Sequence, residues 1–186
     1  MSVRIGMQAP AVNGDCVNGK GEFSSFSLEK ITSEGKWAVI YFYPLDFTFV
    51  CPTEIQEFNS LAGEFANNNA VVAGVSIDSK FSHLAWLQSG TLIPGSNELK
   101  HPLVADLTKT ISRDYGVLGD GGFAFRGTFI VDPAGRVRFY SCVDAPVGRS
   151  PQEILRTLQA LQYADSHGGE VCPVNWKPGA DTIKVG

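Results

Sequence analysis

The chain has few cysteines, no Cys-x-x-Cys pair and only three histidines. Cys16, Cys51, Cys142 and Cys172 lie far apart, which argues against a vicinal redox dithiol and against zinc spacing. His83, His101 and His167 are scattered and complete no metal-ligand pattern. Four cysteines in 186 residues are also too sparse for a small secreted disulfide scaffold. Any disulfide is therefore expected to be catalytic. Long apolar runs are missing as well, because the run from Trp37 to Tyr43 ends at Pro44, far short of a membrane span. The segment Met1 to Gly6 carries no signal-peptide apolar stretch. There is no basic excess: 15 Lys and Arg against 19 Asp and Glu give a net charge of −4, which argues against a nucleic-acid partner. Gly119, Gly121 and Gly122 do not form a dinucleotide fingerprint. We expect a soluble, cytoplasmic protein with no membrane partner and no nucleotide, flavin or metal cofactor.

What is present centres on Cys51. A strand-like run, Trp37-Ala38-Val39-Ile40-Tyr41-Phe42-Tyr43, stops at Pro44 and leads into Leu45-Asp46-Phe47-Thr48-Phe49-Val50-Cys51-Pro52-Thr53-Glu54. Ile55, Phe58, Leu61, Ala62 and Phe65 then recur at helical spacing. Pro52 suits a first helical position, and it biases Cys51 away from helical backbone, towards the cap or the edge of the first turn. Unpaired N–H groups in a helix's first turn favour negative charge. The thiolate is the nucleophilic form of cysteine, so Cys51 is the leading candidate for chemistry.

Elsewhere strands and helices alternate. Ala70 to Ile77 predicts a buried strand. A helix capped by Asp78 or Ser79 follows through Leu87, and another is expected from Asp106 through Tyr115. Thr128 to Val131 and Arg136 to Val143 predict two strands joined across Asp132-Pro133-Ala134-Gly135, and Asn18-Gly19 suggests a further hairpin turn. Ser150, Pro151 and Glu153 open the last helix in a capping-box pattern, with Ile154, Leu155, Leu158 and Leu161 on one face. After about Ala164 the periodicity stops, and residues 167–179 read as an extended or mobile arm carrying Cys172. The pattern predicts an α/β layer structure, a central mixed sheet flanked by helices. Cys142 is expected to be a structural strand cysteine, Cys16 a bystander, and Trp86 part of a core or subunit interface.

Taken together, Phe47 to Glu54, Gly74 to Ser79, Arg126 to Asp132, Pro146 to Ser150 and Gly169 to Lys177 resemble, in order, the typical two-cysteine peroxiredoxins. That group contains the alkyl hydroperoxide reductase peroxidase component and the thiol-specific antioxidant proteins. The resemblance implies a thioredoxin-like domain with peroxiredoxin insertions over 1–164 and a C-terminal arm over 165–186. Cys51 matches the peroxidatic cysteine, with Pro44, Thr48 and Arg126 around it, and Cys172 matches the resolving cysteine. Glu54 and Arg149 match a pair that steadies the pocket arginine. One departure is clear, since Ser89 to Ser96 stands where many eukaryotic members carry Gly-Gly-Leu-Gly.

By that resemblance, Cys51 would reduce hydrogen peroxide and organic hydroperoxides, become a sulfenic acid, and be captured as an intersubunit Cys51–Cys172 disulfide. The electron donor would be a thioredoxin-like protein or a flavoprotein reductase. Homodimers would assemble into a ring of five dimers, with Phe81, Ser82 and His83 matching part of the ring interface. Two other functions compete: a general disulfide oxidoreductase, disfavoured by the missing Cys-x-x-Cys, and a holdase or redox-signalling role of the assembled oligomer.

Overall fold

The computed structural model describes residues 3–96 and 98–185. They form two compact units, Met1–Arg149 and Ser150–Gly186. In the first unit the strands are β1 (Asn13–Val17), β2 (Phe23–Ser27), β3 (Trp37–Phe42), β4 (Ala70–Ser76), β5 (Leu103–Ala105), β6 (Arg126–Val131) and β7 (Val137–Val143). Its helices are α1 (Leu28–Ser33), α2 (Cys51–Ser60), α3 (Ala62–Asn67), α4 (Lys80–Gln88) and α5 (Thr110–Asp114). The strands make one mixed sheet in the order β2-β1-β5-β4-β3-β6-β7. β3 runs parallel to β4 and antiparallel to β6. All six residues of β3 and all six of β6 are buried, as expected of strands covered on both sides.

Strand alternation gives β3 two different faces. Ala38, Ile40 and Phe42 join Ala73, Val75, Phe129 and Val131 in the apolar core. Tyr41 points the other way and stacks on Phe58 of α2, ring centroids 4.1 Å apart. The helix that begins at Cys51 is thereby held on the aromatic face of the central strand.

The expected helix after Cys51 divides at Leu61, whose N–H reaches Asn59 and Glu57 carbonyls. Its apolar stripe survives the break, with Ile55, Phe58, Leu61 and Phe65 all buried. The helix expected from Asp106 starts later, at Thr110, because Lys109 turns through φ +60°. Asp106 still caps it from outside: its carboxylate accepts from the N–H groups of Ile111 and Ser112 at 3.1 and 2.7 Å. Ser79 caps α4, and the 132–135 turn joins β6 to β7 as expected. The connection at Asn18 is a longer loop, in which the Asn18 side chain accepts from the N–H groups of Lys20 and Glu22. Cys142 departs from expectation: its β7 position is exposed.

The second unit holds α6 (Pro151–Ser166), β8 (Glu170–Val171) and β9 (Ile183–Lys184). Ser150 caps α6 by accepting from the Glu153 N–H. The segment expected to be extended or mobile is folded on itself, since β8 pairs antiparallel with β9. Trp176 is buried between them in sequence, donating its indole N–H to the Ala180 carbonyl, with its ring against Tyr163. One large aromatic side chain supplies apolar contact that period-based reading does not register.

Two histidines that spacing left unremarkable are buried. His101 Nε2 lies 2.7 Å from the Tyr41 hydroxyl, and its Nδ1 has no partner among the described residues. Burial pushes its pKa down from 6.5 to about 3. In the unfolded chain this group takes up a proton below its ordinary value, whereas the folded chain keeps it neutral. Stability is therefore greatest above pH 6.5 and falls as the pH drops from there towards 3. Urea unfolding should show a loss of about 2 kcal/mol between pH 7.5 and 5 from this residue. His101→Asn should flatten that part of the profile, and equal slopes in the two proteins would refute the assignment.

Candidate active site

Cys51 opens α2, with Val50 at the cap and Pro52 in the first turn. No side chain caps this end. The Thr53 N–H donates to the Val50 carbonyl at 3.0 Å, and the Thr53 hydroxyl donates to the same oxygen at 2.7 Å. The Cys51 side chain is fully buried.

The loop between β3 and α2 is tied to a buried polar cluster. The Asp46 carboxylate accepts from the Tyr43 and Ser82 hydroxyls, each at 2.8 Å, and lies 2.8 Å from His83 Nδ1. The Asp46 N–H donates to Asp78, which also accepts from the Ser76 hydroxyl. Burial, and then the neighbouring Asp46 charge, push the Asp78 carboxyl up from its ordinary value. Phe47 adopts φ +55° and sets its ring against Trp86, centroids 5.7 Å apart. A non-glycine residue in this region is uncommon and is held there by its surroundings. Thr48 follows, its hydroxyl donating to the Leu45 carbonyl at 2.8 Å.

Arg126 stands at the start of β6 and is almost fully buried. Its Nη1 donates to Cys51 Sγ at 3.4 Å and to Glu54 Oε2 at 2.7 Å, while Nε donates to the Ala145 carbonyl at 2.7 Å. Arg149 grips the same carboxylate. Its backbone N–H and Nε each donate to Glu54 Oε1 at 2.8 Å, and Nη2 donates to Oε2 at 2.9 Å. Arg149 Nη1 reaches the Gly127 carbonyl at 2.7 Å, and the guanidinium sits 5.4 Å from the centre of the Tyr41 ring. Burial by itself raises the Glu54 carboxyl pKa, but the hydrogen bonds and charge of Arg149, with the charge of Arg126, outweigh it and hold the pKa below 4.5. The stabilisation this carboxylate contributes is therefore present above the ordinary glutamate range and lost as the pH falls through its lowered value. Two guanidinium groups against one carboxylate leave a positive charge in excess beside the sulfur.

A cavity of about 430 Å³ opens over Cys51, with Pro44, Thr48 and Arg126 in its wall. Four of the expected site residues thus share one pocket, and Glu54 and Arg149 lie directly behind it. Cys172 lies in the second unit, half-buried just after β8, its Sγ 3.6 Å from the Ala160 carbonyl. All four cysteines are free thiols. Among the described residues no three His, Cys, Asp or Glu side chains gather as metal ligands, and no helix is long and apolar enough to cross a membrane.

Sequence reading missed several contributors. Tyr41 could have been placed by alternation, since it lies opposite the core-facing Ile40 and Phe42. Asp46, Asp78 and His83 come from separate segments, and no spacing links them.

The AhpC/TSA family model matches residues 5–140, and the C-terminal domain of 1-Cys peroxiredoxin matches residues 160–185. The mitochondrial thioredoxin-dependent peroxide reductase of Homo sapiens is 50% identical over 181 residues, covering 97% of this chain and 69% of the relative. Peroxiredoxin-2 of Rattus norvegicus is 50% identical over 184 residues, covering 98% of this chain and 91% of the relative. Among solved structures, the reduced 2-Cys peroxiredoxin of Plasmodium vivax superposes with a TM-score of 0.90 at 38% identity, covering 97% of this chain and 92% of the other. AhpC of Enterococcus faecalis gives 0.84 at 36% identity, covering 93% and 100%. A thioredoxin-like sheet, a buried cysteine at a helix start and a carboxylate-locked arginine against its sulfur agree with these matches along almost the whole length: the chain belongs to the AhpC/TSA family of peroxiredoxins.

Proposed function

We propose that the protein is a thiol-dependent peroxidase that reduces hydroperoxides at Cys51. The contact between Arg126 Nη1 and Cys51 Sγ, inside a pocket of peroxide-accommodating size, carries this reading. Arg126 Nη2 has no protein partner among the described residues, so its N–H groups are free to hold a substrate oxygen. The Thr48 hydroxyl proton is committed to Leu45, leaving its oxygen to accept from a peroxide O–H. These donors and acceptors orient the peroxide and stabilise charge on the departing oxygen. Pro44 adds wall without an N–H that would compete for the peroxide.

The Cys51 sulfur attacks one peroxide oxygen, the O–O bond breaks, and water or an alcohol leaves. Cys51 becomes a sulfenic acid. The Cys172 thiol, on the arm over residues 165–186, then displaces water to form a Cys51–Cys172 disulfide between the subunits of a homodimer. Sulfur meets sulfur only after the first turn of α2 unwinds; no side-chain cap strengthens that end. A thioredoxin-like dithiol returns both thiols, a role supported by the name of the human relative; a flavoprotein reductase is the alternative donor.

Glu54 acts through Arg126 and does not touch substrate. Its carboxylate fixes the guanidinium that faces Cys51 and satisfies Arg149 at the same time. Removing one member of a buried charge group leaves the others uncompensated.

We further propose that dimers assemble into a ring of five. Phe81 is 64% exposed and meets Phe23 edge-on at 5.3 Å, an apolar surface suited to another subunit. Ser82 and His83, expected at the same interface, are engaged with Asp46 within the chain. We also propose a cytoplasmic location, in keeping with four widely spaced cysteines that make no secreted-type disulfide framework, and cell fractionation checks it.

Stopped-flow mixing of the pre-reduced protein with one equivalent of hydrogen peroxide should give a second-order rate above ~10⁴ M⁻¹s⁻¹. Cys51→Ser should abolish it. A wild-type rate no faster than a free thiolate's would sink the peroxidase reading. Glu54→Gln should slow the same reaction by about tenfold or more and cost on the order of 3 kcal/mol of stability. An unchanged rate would remove Glu54 from the positioning role. Sedimentation velocity of the reduced protein should show ten subunits, with Phe81→Ala shifting the distribution to dimers. Dimers throughout in the reduced wild type would overturn the ring.

A further inference from the structure

The Cys51 cavity is divided chemically. Its polar lining residues are Cys51, Thr48 and Arg126, with Arg126 against the Cys51 sulfur, and the remaining lining is apolar: Pro44, Leu45, Phe49, Val50, Phe123, Ala145 and Pro146. Hydrogen peroxide carries no carbon and engages only the polar part. Among the apolar residues Phe123 is distinctive because its position is built. Leu118 bridges Ala124, the Gly119 N–H donates to the Phe123 carbonyl at 2.9 Å, and the Phe125 N–H donates to the Val117 carbonyl at 2.8 Å. Gly122 turns through φ +78°. A Cβ on Gly121 would stand 2.8 Å from the Phe123 ring, so the ring packs closely over the Gly121 backbone. This hairpin leads within three residues to Arg126, which ties the ring's position to that of the pocket guanidinium. Phe49, by contrast, is 94% exposed and offers the cavity little fixed surface.

We infer that Phe123 is a specificity-determining residue, the fixed apolar wall that receives the carbon substituent of an organic hydroperoxide. This rests on the peroxidase reading above and adds a preference to it: hydroperoxides with a compact apolar or aromatic substituent gain a contact that hydrogen peroxide lacks. With R–O–O–H bound, the hydroperoxy group meets Arg126 and Thr48 while R lies along Phe123. Cys51 gives up its proton and its sulfur attacks the terminal oxygen. The S–O bond forms as the O–O bond breaks, and sulfur yields two electrons to the peroxide. The departing alkoxide takes up the proton and leaves as ROH. The wall contributes only if R stays in place through the step, so its effect belongs in the second-order rate.

The test compares single-turnover rates for cumene hydroperoxide and hydrogen peroxide in the pre-reduced wild type, Phe123→Ala and Phe123→Leu. Loss of a fitted apolar contact is expected to lower the cumene hydroperoxide rate about tenfold in Phe123→Ala. The hydrogen peroxide rate should change less than about threefold, and Phe123→Leu should fall between. The ratio of the two rates is the readout, because general damage to the pocket lowers both together. An unchanged ratio in Phe123→Leu, or in Phe123→Ala where it folds, overturns the assignment. Failure of the peroxidase reading itself looks different: the wild type would then react with neither peroxide faster than a free thiolate.

Discussion

A single carboxylate, Glu54, holds the site together. It is almost completely buried, a costly place for a charge, and the cost is offset by N–H donors from two arginines that converge on it. Arg126 approaches from the start of β6 and Arg149 from the end of the first unit. Because Glu54 sits one turn along the helix that Cys51 opens, the grip on its carboxylate also locates the sulfur. The guanidinium that touches Sγ is thus fixed by the helix that presents Sγ. Neither arginine would hold this geometry alone, since a buried ion pair needs its remaining donors satisfied to be worth its desolvation. Arg149 meets that need with the Gly127 carbonyl and the Tyr41 ring, and Arg126 with the Ala145 carbonyl.

The opposite end of the site is held by different means. Asp46 fastens the loop before Cys51 to Tyr43, Ser82 and His83, and Phe47 is pressed into an uncommon backbone conformation against Trp86. Two anchors, one ionic and one polar and aromatic, therefore bracket the few residues between Pro44 and Glu54. The sheet underneath has two characters. One face of β3 packs into an apolar core in which Phe42 meets Tyr115 and Phe129, and the other carries Tyr41 and its partners Phe58 and His101. Alternation along a single strand sets both.

Between the anchors the pocket combines a charged group, Arg126 against Cys51, with a largely apolar lining. The charged group suits the O–O group common to all hydroperoxides, where negative charge develops and must be met by a donor already in place. The apolar lining does nothing for that charge. Under the proposed function, reactivity and selectivity fall to different residues on adjoining elements, and the hairpin that carries Phe123 leads into Arg126 at the start of β6.

Much of this was legible in the amino-acid sequence, because the signals were local. Pro44 and Pro52 bracket the reactive segment, the 3.6-residue stripe from Ile55 announces the helix, and Ser150 with Pro151 announces another; each follows from backbone geometry that near neighbours decide. The ordered match of five segments extended this reading to Arg126, Glu54, Arg149 and Cys172. Other features needed the tertiary fold. The Asp46–Asp78–His83 cluster, the Tyr41–His101 pair and the closed hairpin around Trp176 join residues whose separation in sequence carries no period. The exposure of Cys142 depends on which side of a strand packs against the rest of the unit, and the late start of α5 on a left-handed Lys109. Sequence alone determined where a reactive thiol would sit, since a helix terminus and its prolines are local facts. Only the tertiary structure decided what surrounds it, because burial and charge pairing arise when distant segments exclude water together.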